Sequence, residues 1–205
     1  MQTFLPSPSI HASAKMLDRS RLGKQRVEAR DILCCCHRHG GNDVRNALGL
    51  SERAAGFLWK RYRNHPAVLM WVGHEVALCH YGAAMCGEWI ARGYKDTLLS
   101  FFQKVADSNE MPDVPEWIGE FRFHMLHRAI LLGKAWEALE KACGSSERAH
   151  AMHSRTVEPE KHEVVAWNGW LWYDKQGWEE FPLERDKEGR WPYYWPVTIR
   201  QECEA

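Results

Sequence analysis

Long apolar runs are missing from this chain of 205 residues. Nothing in it approaches the roughly 20 consecutive apolar residues that a membrane-spanning helix needs, so no membrane partner is expected. The start, Met1-Gln2-Thr3-Phe4-Leu5-Pro6, lacks the charged opening and apolar core of a secretory signal. A disulfide framework is absent too: the seven cysteines are odd in number, and Cys34, Cys35 and Cys36 are consecutive. A reducing cytoplasm is the compartment these features predict. There is no Walker loop, no dinucleotide-binding glycine pattern and no nucleophile elbow, which leaves nucleotide hydrolysis and hydride transfer without support and implies no cofactor. Net charge is lacking as well, with 27 Lys and Arg against 27 Asp and Glu.

That neutrality hides an asymmetry. Residues 1–70 hold twelve Lys and Arg against five Asp and Glu, a charge of +7, so the remainder carries −7. Such a division suits a polyanion-binding face backed by an acidic scaffold. The densest stretch runs from Leu17 to Glu28, where three arginines, one lysine and two carboxylates share twelve residues with Leu17, Leu22 and Val27. Wound as a helix, it aligns Leu17, Arg21, Lys24, Glu28 and Asp31 on one side. A second row, Leu22, Gln25, Ala29, Leu33 and Cys36, packs inward. A solvated surface is the plain alternative for so many charges.

The expected fold is mainly α: a single-domain helical bundle around a long buried central helix, with a small C-terminal β-meander. Pro6-Ser7-Pro8-Ser9 reads as an extended lead-in, with Ser9 or Ser13 as the cap of a helix running to about His39. Residues 44–63 suggest a shorter helix ending in Trp59-Lys60-Arg61-Tyr62-Arg63, a basic and aromatic knot that serves either as a snorkelling helix end or as a nucleic-acid contact. Asn64-His65-Pro66 opens the central helix, in which Leu69, Val72, Val76, Cys79, Ala83, Cys86 and Ile90 recur at helical spacing until Gly93. A short helix is expected over 95–105 and a helix pair over 115–141. Residues 1–144 form the predicted helical domain, and 145–205 a mobile segment and aromatic β-meander packed on it. The meander rests on two near-copies of a turn signal, Asp174-Lys175-Gln176-Gly177 and Asp186-Lys187-Glu188-Gly189, and holds six of the eleven tryptophans. Those aromatics are read first as sheet packing and second as stacking platforms for bases.

Cys34-Cys35-Cys36-His37-Arg38-His39 invites a metal reading. Consecutive helical residues point in different directions, however, whereas zinc ligands must converge, so no metal site is assigned. Cysteine here serves as a small hydrophobe. His124 and His127 stand one turn apart beside Arg128, suited to phosphate contact or to metal ligation, the latter only if folding brings His150 and His153 to the same place.

Several stretches together resemble the pyrimidine-dimer DNA glycosylase family, the phage-type endonuclease V group. They are Met1 to Pro6, Leu17 to Glu28, His65-Pro66-Ala67-Val68-Leu69-Met70-Trp71 through Gly73-His74, and Trp89-Ile90-Ala91-Arg92-Gly93-Tyr94-Lys95-Asp96-Thr97. The likeness covers about residues 1–135, with an echo in Trp191-Pro192-Tyr193-Tyr194 and no counterpart for 145–190. It implies an all-α enzyme that binds duplex DNA holding a damaged or modified pyrimidine and turns the nucleotide out of the helix. The family's terminal amine then attacks the sugar carbon, and the strand is cut through a Schiff base.

By that resemblance Arg26-Val27 match the family's arginine and valine, while its catalytic glutamate falls on Gly23. Glu28 is then the candidate acid, and Met1 or Lys24 the candidate amine. Gln2 is larger than the small second residue that the family exposes. Lys24 lies between Arg21 and Arg26, like charges expected to favour its neutral form. The DNA-binding candidates are Arg19, Arg21, Arg26, Lys60, Arg61, Arg63, His124 and Arg128. Two other readings are a base-modifying enzyme on the same scaffold and a non-catalytic DNA-binding module.

Overall fold

The computed structural model describes residues 2–36, 52–107, 114–144, 172–174, 177–179 and 187–189. The chain divides into two units, one holding Met1–Phe123 with Trp195–Ala205, the other His124–Tyr194.

In the first unit, helix α1 (Ile10–Met16) begins at Ser9, whose hydroxyl accepts from the Ala12 backbone at 3.2 Å. It stops at Leu17, and α2 (Arg19–Cys36) starts one residue on. The single helix expected to run on to His39 is therefore two. Asp18 breaks it, because its carboxylate accepts from the Arg21 backbone at 3.0 Å and caps a new helix in place of continuing the old one. His39 lies outside the described residues.

The expected central helix is also divided. A one-turn helix α4 (Pro66–Leu69) follows α3 (Glu52–Tyr62) and precedes α5 (Glu75–Ala91). Between α4 and α5 Gly73 adopts φ 84°, and its N–H donates to the Glu75 carboxylate at 3.1 Å. That turn brings the Trp71 indole N–H to the Thr3 hydroxyl, 3.0 Å away, which a continuous helix would not do.

α5 is central as expected. It makes the largest interfaces, with α2 and with α6 (Leu99–Ala106), and a further one with α1. Its buried face, including Leu78, Tyr81 and Met85, joins Leu22, Ile32 and Leu33 of α2 in the core. At Gly82 any β-carbon would stand 2.4 Å from the Phe102 ring, so glycine sets how closely α5 and α6 approach. Gly93, at φ 85°, follows the end of α5. The loop beyond is held by Asp96, which accepts from the Leu98 and Leu99 backbone at 2.7 and 2.6 Å and so starts α6. Trp117 closes the core between Trp71 and Phe123, with ring centroids 4.9 Å from each.

The helix pair expected over 115–141 is one helix, α7 (Phe121–Cys143), preceded by a turn and ended at Gly144, φ 74°. In the second unit a two-stranded antiparallel hairpin pairs β1 (Trp172–Asp174) with β2 (Gly177–Glu179), Trp172 opposite Glu179. This hairpin is all the sheet among the described residues, so they do not support the larger meander. Its closing segment, 192–196, lies outside them. No helix among the described residues is long and apolar enough to cross a membrane.

Candidate active site

The amino-terminal segment is built into the core. Gln2, Thr3, Phe4, Leu5 and Pro6 are all buried, which requires their backbone polar groups to find partners. Gln25 of α2 supplies one: its side-chain oxygen accepts from the Phe4 N–H at 2.8 Å and from the Tyr81 hydroxyl at 2.6 Å. Tyr81 also donates to the Phe4 carbonyl, 3.2 Å away. Burial, then the nearby Glu28 charge, hold the Tyr81 phenol far above its ordinary pKa, against a lowering from its hydrogen bond to Phe4. It therefore remains a donor throughout the working pH range.

The other end of the Gln25 amide donates to Glu28 Oε2 at 2.8 Å. One side chain thus links the backbone of residue 4 to the candidate acid. Glu28 Oε1 is 3.5 Å from Lys24 Nζ; the carboxylate side chain is 11% exposed and the lysine 71%. This is a carboxylate sheltered by protein on one side and an ammonium open to solvent on the other. The like-charge surroundings expected for Lys24 are not what the fold builds. Arg21 pairs with Asp18, and Arg26 is turned to another face of the helix. Asp18 is raised by burial but lowered further by the hydrogen bonds and charge of Arg21, for a net depression.

His65 caps α4: its Nδ1 accepts from the Ala67 N–H at 3.1 Å. Burial, and next the positive charge of the amino terminus, lower its pKa. Met1 itself lies outside the described residues.

On the opposite side of α2 the charges are structural. Arg26 is largely buried, with Nε 2.9 Å from Asp96 Oδ2, an ion pair by distance whose alignment does not make a hydrogen bond. Its guanidinium lies 4.5 Å from the Trp89 ring centroid. Arg26 is therefore withdrawn from the phosphate-binding face expected of it. Arg19 lies over Tyr94 at 4.9 Å but remains exposed. Tyr94 and Trp89 pack at 4.3 Å. A side chain on Gly23 would point at Trp89, with a β-carbon 3.1 Å from two indole carbons. This accounts for the missing glutamate: the position faces an aromatic clamp, away from the amino-terminal segment. Arg92 completes the clamp, donating to the Leu17, Ala14 and Lys15 carbonyls at 2.7, 3.3 and 3.0 Å.

Lys60, Arg61 and Arg63 are exposed on and just beyond the end of α3. His124 is buried and Arg128 half-buried. A buried imidazole has no path to a phosphate, so His124 leaves the set of DNA contacts. Cys34, Cys35 and Cys36 are buried, with Cys36 donating to the Val68 carbonyl at 3.5 Å. Among the described residues no group of His, Cys, Asp or Glu could hold a metal.

The four stretches that set up this arrangement coincide with a family pattern. Residues 1–100, just under half of the chain, match the family model described as pyrimidine dimer DNA glycosylase. The matched part is thus similar to DNA glycosylases, enzymes whose partner is DNA bearing pyrimidine dimers. The chain matches no curated protein and no solved structure.

Sequence reasoning passed over Gln25, Tyr81 and His65 as parts of the site. For Gln25 a signal existed in its spacing, three residues before Glu28 and so on a neighbouring helical position. Tyr81 and Phe4 are 77 residues apart, and no local pattern pairs them.

Proposed function

We propose that the protein removes a damaged pyrimidine from duplex DNA through an imine formed with its terminal amine, with Glu28 as the proton-handling group. The observation that carries this reading is the Gln25 bridge, which ties Glu28 and the Phe4 backbone to one amide. Three residues of extended chain reach about 10 Å, so the first residue can lie within reach of the carboxylate.

Two amines compete for the role. An α-amino group has an ordinary pKa near 7.7–8, against about 10.4 for lysine, so roughly a tenth of it is already neutral at pH 7. Lys24 Nζ instead stands 3.5 Å from Glu28 Oε1, engaged in an ion pair. The terminal amine is thus the nucleophile in this scheme, and Lys24 an electrostatic partner and phosphate contact beside Arg19 and Arg21.

The sugar carbon must be approached by the amine, which requires the nucleotide to turn out of the duplex. The amine forms a bond to C1′ as the glycosidic bond breaks, and the base leaves with the electron pair and takes up a proton. The nitrogen loses a proton, and its lone pair then forms the C1′=N bond as the C1′–O4′ bond breaks, with O4′ taking the bonding pair and a proton to become a hydroxyl; the open-chain imine results. Removal of a C2′ proton by Glu28 then expels the 3′ phosphate, which is the AP lyase step.

Borohydride trapping on ultraviolet-irradiated duplex, followed by peptide mapping, tests the scheme. The expected adduct lies on the amino-terminal peptide, persists in Lys24→Ala and disappears when the terminal amine is acetylated. Glu28→Gln keeps the acceptor for Gln25 and should slow turnover about 100-fold or more. An adduct on Lys24, or altered nucleosides with intact glycosidic bonds, would refute it.

A further inference from the structure

Phe57 is the most solvent-exposed large apolar side chain among the described residues, at 68%. A single exposed apolar side chain is ordinary on a protein surface, and it is the setting of this one that sets it apart. Its surroundings suggest a partner. Lys60 and Arg61 follow at three and four residues, which places them on the same face of α3 as Phe57. Both are exposed, and neither makes an ion pair with another described residue. Between Arg53 and Asn64 the sequence holds four basic residues and no acidic one. α3 packs on α2, the helix that carries Lys24 and Glu28.

We infer that the α3 face bearing Phe57, Lys60 and Arg61 docks on duplex DNA, with the phenyl ring stacking on a base left exposed where the duplex is interrupted. The inference rests on the proposed action on DNA and adds a contact to it. Ammonium and guanidinium groups pair with phosphates irrespective of sequence. An aromatic ring between them finds a π-face on every base, but can reach one only where stacking is broken, as it is beside an everted nucleotide. An aliphatic side chain at this position would lack that complementarity, and an acidic side chain would repel the strand.

The test is fluorescence-anisotropy titration of the full chain against two labelled duplexes of the same length, one intact and one with a single-nucleotide gap. Phe57→Ala should weaken binding to the gapped duplex about tenfold and leave the intact duplex within about twofold, while Phe57→Trp restores the preference. Lys60→Ala with Arg61→Ala should weaken both, and make the log–log salt dependence shallower by about two, one for each lost phosphate contact. Phe57 is exposed, so these variants should keep the native unfolding midpoint, which is measured alongside. Equal binding of Phe57→Ala to both duplexes at wild-type strength overturns the inference, as does an equal loss on both. A change in solution mass on Phe57→Ala would name a second copy of the chain as the occupant and overturn it as well. Should the wild type bind the gapped duplex in this way yet cut neither glycosidic bond nor strand in ultraviolet-irradiated duplex, the docking face stands and the glycosylase reading falls. Should it release base while Phe57→Ala binds and cuts as the wild type does, the reverse holds.

Discussion

The indole of Trp89 occupies the space in front of Gly23, with two ring carbons 3.1 Å from where a β-carbon would stand. The same ring lies beneath the Arg26 guanidinium and donates from Nε1 to the Lys95 carbonyl at 3.0 Å, so it has little freedom to retreat. Restoring the family's glutamate at this position, Gly23→Glu, should destabilise the fold by about 1–3 kcal/mol through overpacking, with no gain in turnover. Gly23→Ala should come out closer to neutral, since about 1 kcal/mol of helix propensity offsets the crowding. Urea unfolding of the three proteins checks this, and a Gly23→Glu variant as stable as wild type would refute it.

Gln25 is a buried side chain satisfied at both ends. Gln25→Leu has nearly its volume but removes the acceptor of the Phe4 N–H and the amide donor to Glu28. A buried unpaired polar group costs about 1–3 kcal/mol, so this variant should unfold at distinctly lower urea. It should also lose activity on DNA under conditions where it is still fully folded, because the amino-terminal segment and the carboxylate are no longer tied to one amide. Circular dichroism and a strand-cleavage assay on the same sample separate the two effects.

His65 sets a pH limit. Its pKa is lowered from an ordinary value of 6.5, by burial first and the amino-terminal charge second. The fold thus favours the neutral ring, and the stabilisation it brings is fully present above pH 6.5 and lost as pH falls through the lowered folded value. Protonation would also take Nδ1 away from the Ala67 N–H. Stability should therefore decline on acidification below about pH 6.5. His65→Asn should keep the cap and flatten that part of the profile, whereas His65→Ala should cost about 1 kcal/mol at neutral pH and progressively less on acidification, where the wild type loses the same cap.

Burial holds the thiols protonated. It pushes Cys34 up to about 11, with Asp31 adding to the rise, and pushes Cys35, Cys79 and Cys86 up to about 12; Cys36 is raised well above the ordinary value. Since the thiolate is the reactive form, these five should resist iodoacetamide at pH 8 in the native protein and label readily in urea. Peptide mapping gives the answer residue by residue, and rapid native labelling of Cys35 would contradict the packing described here.

The inward row Leu22, Gln25, Ala29, Leu33 and Cys36 was legible because helical spacing alone decides which residues share a face, and all five are buried. Gly93 and Pro66 marked helix ends for equally local reasons. The breaks at Asp18 and Gly73 were not legible, since the apolar periodicity runs on through both and the capping contacts that override it depend on side-chain orientation. Arg26 read as a phosphate ligand because its partner, Asp96, is seventy residues further on; a charge row on a helix does not say which members are neutralised from elsewhere in the fold. His124 shows the same limit, as a histidine near an arginine looks alike whether it is buried or exposed.

The sequestered run from Gln2 to Pro6 has a practical corollary for anyone producing the protein. Residues appended at that end would extend a segment already built into the core, and under the proposed scheme they would convert the terminal amine into an amide and mask the chemistry. A handle at the other end, or one that can be cleaved off without leaving a scar, keeps that test open.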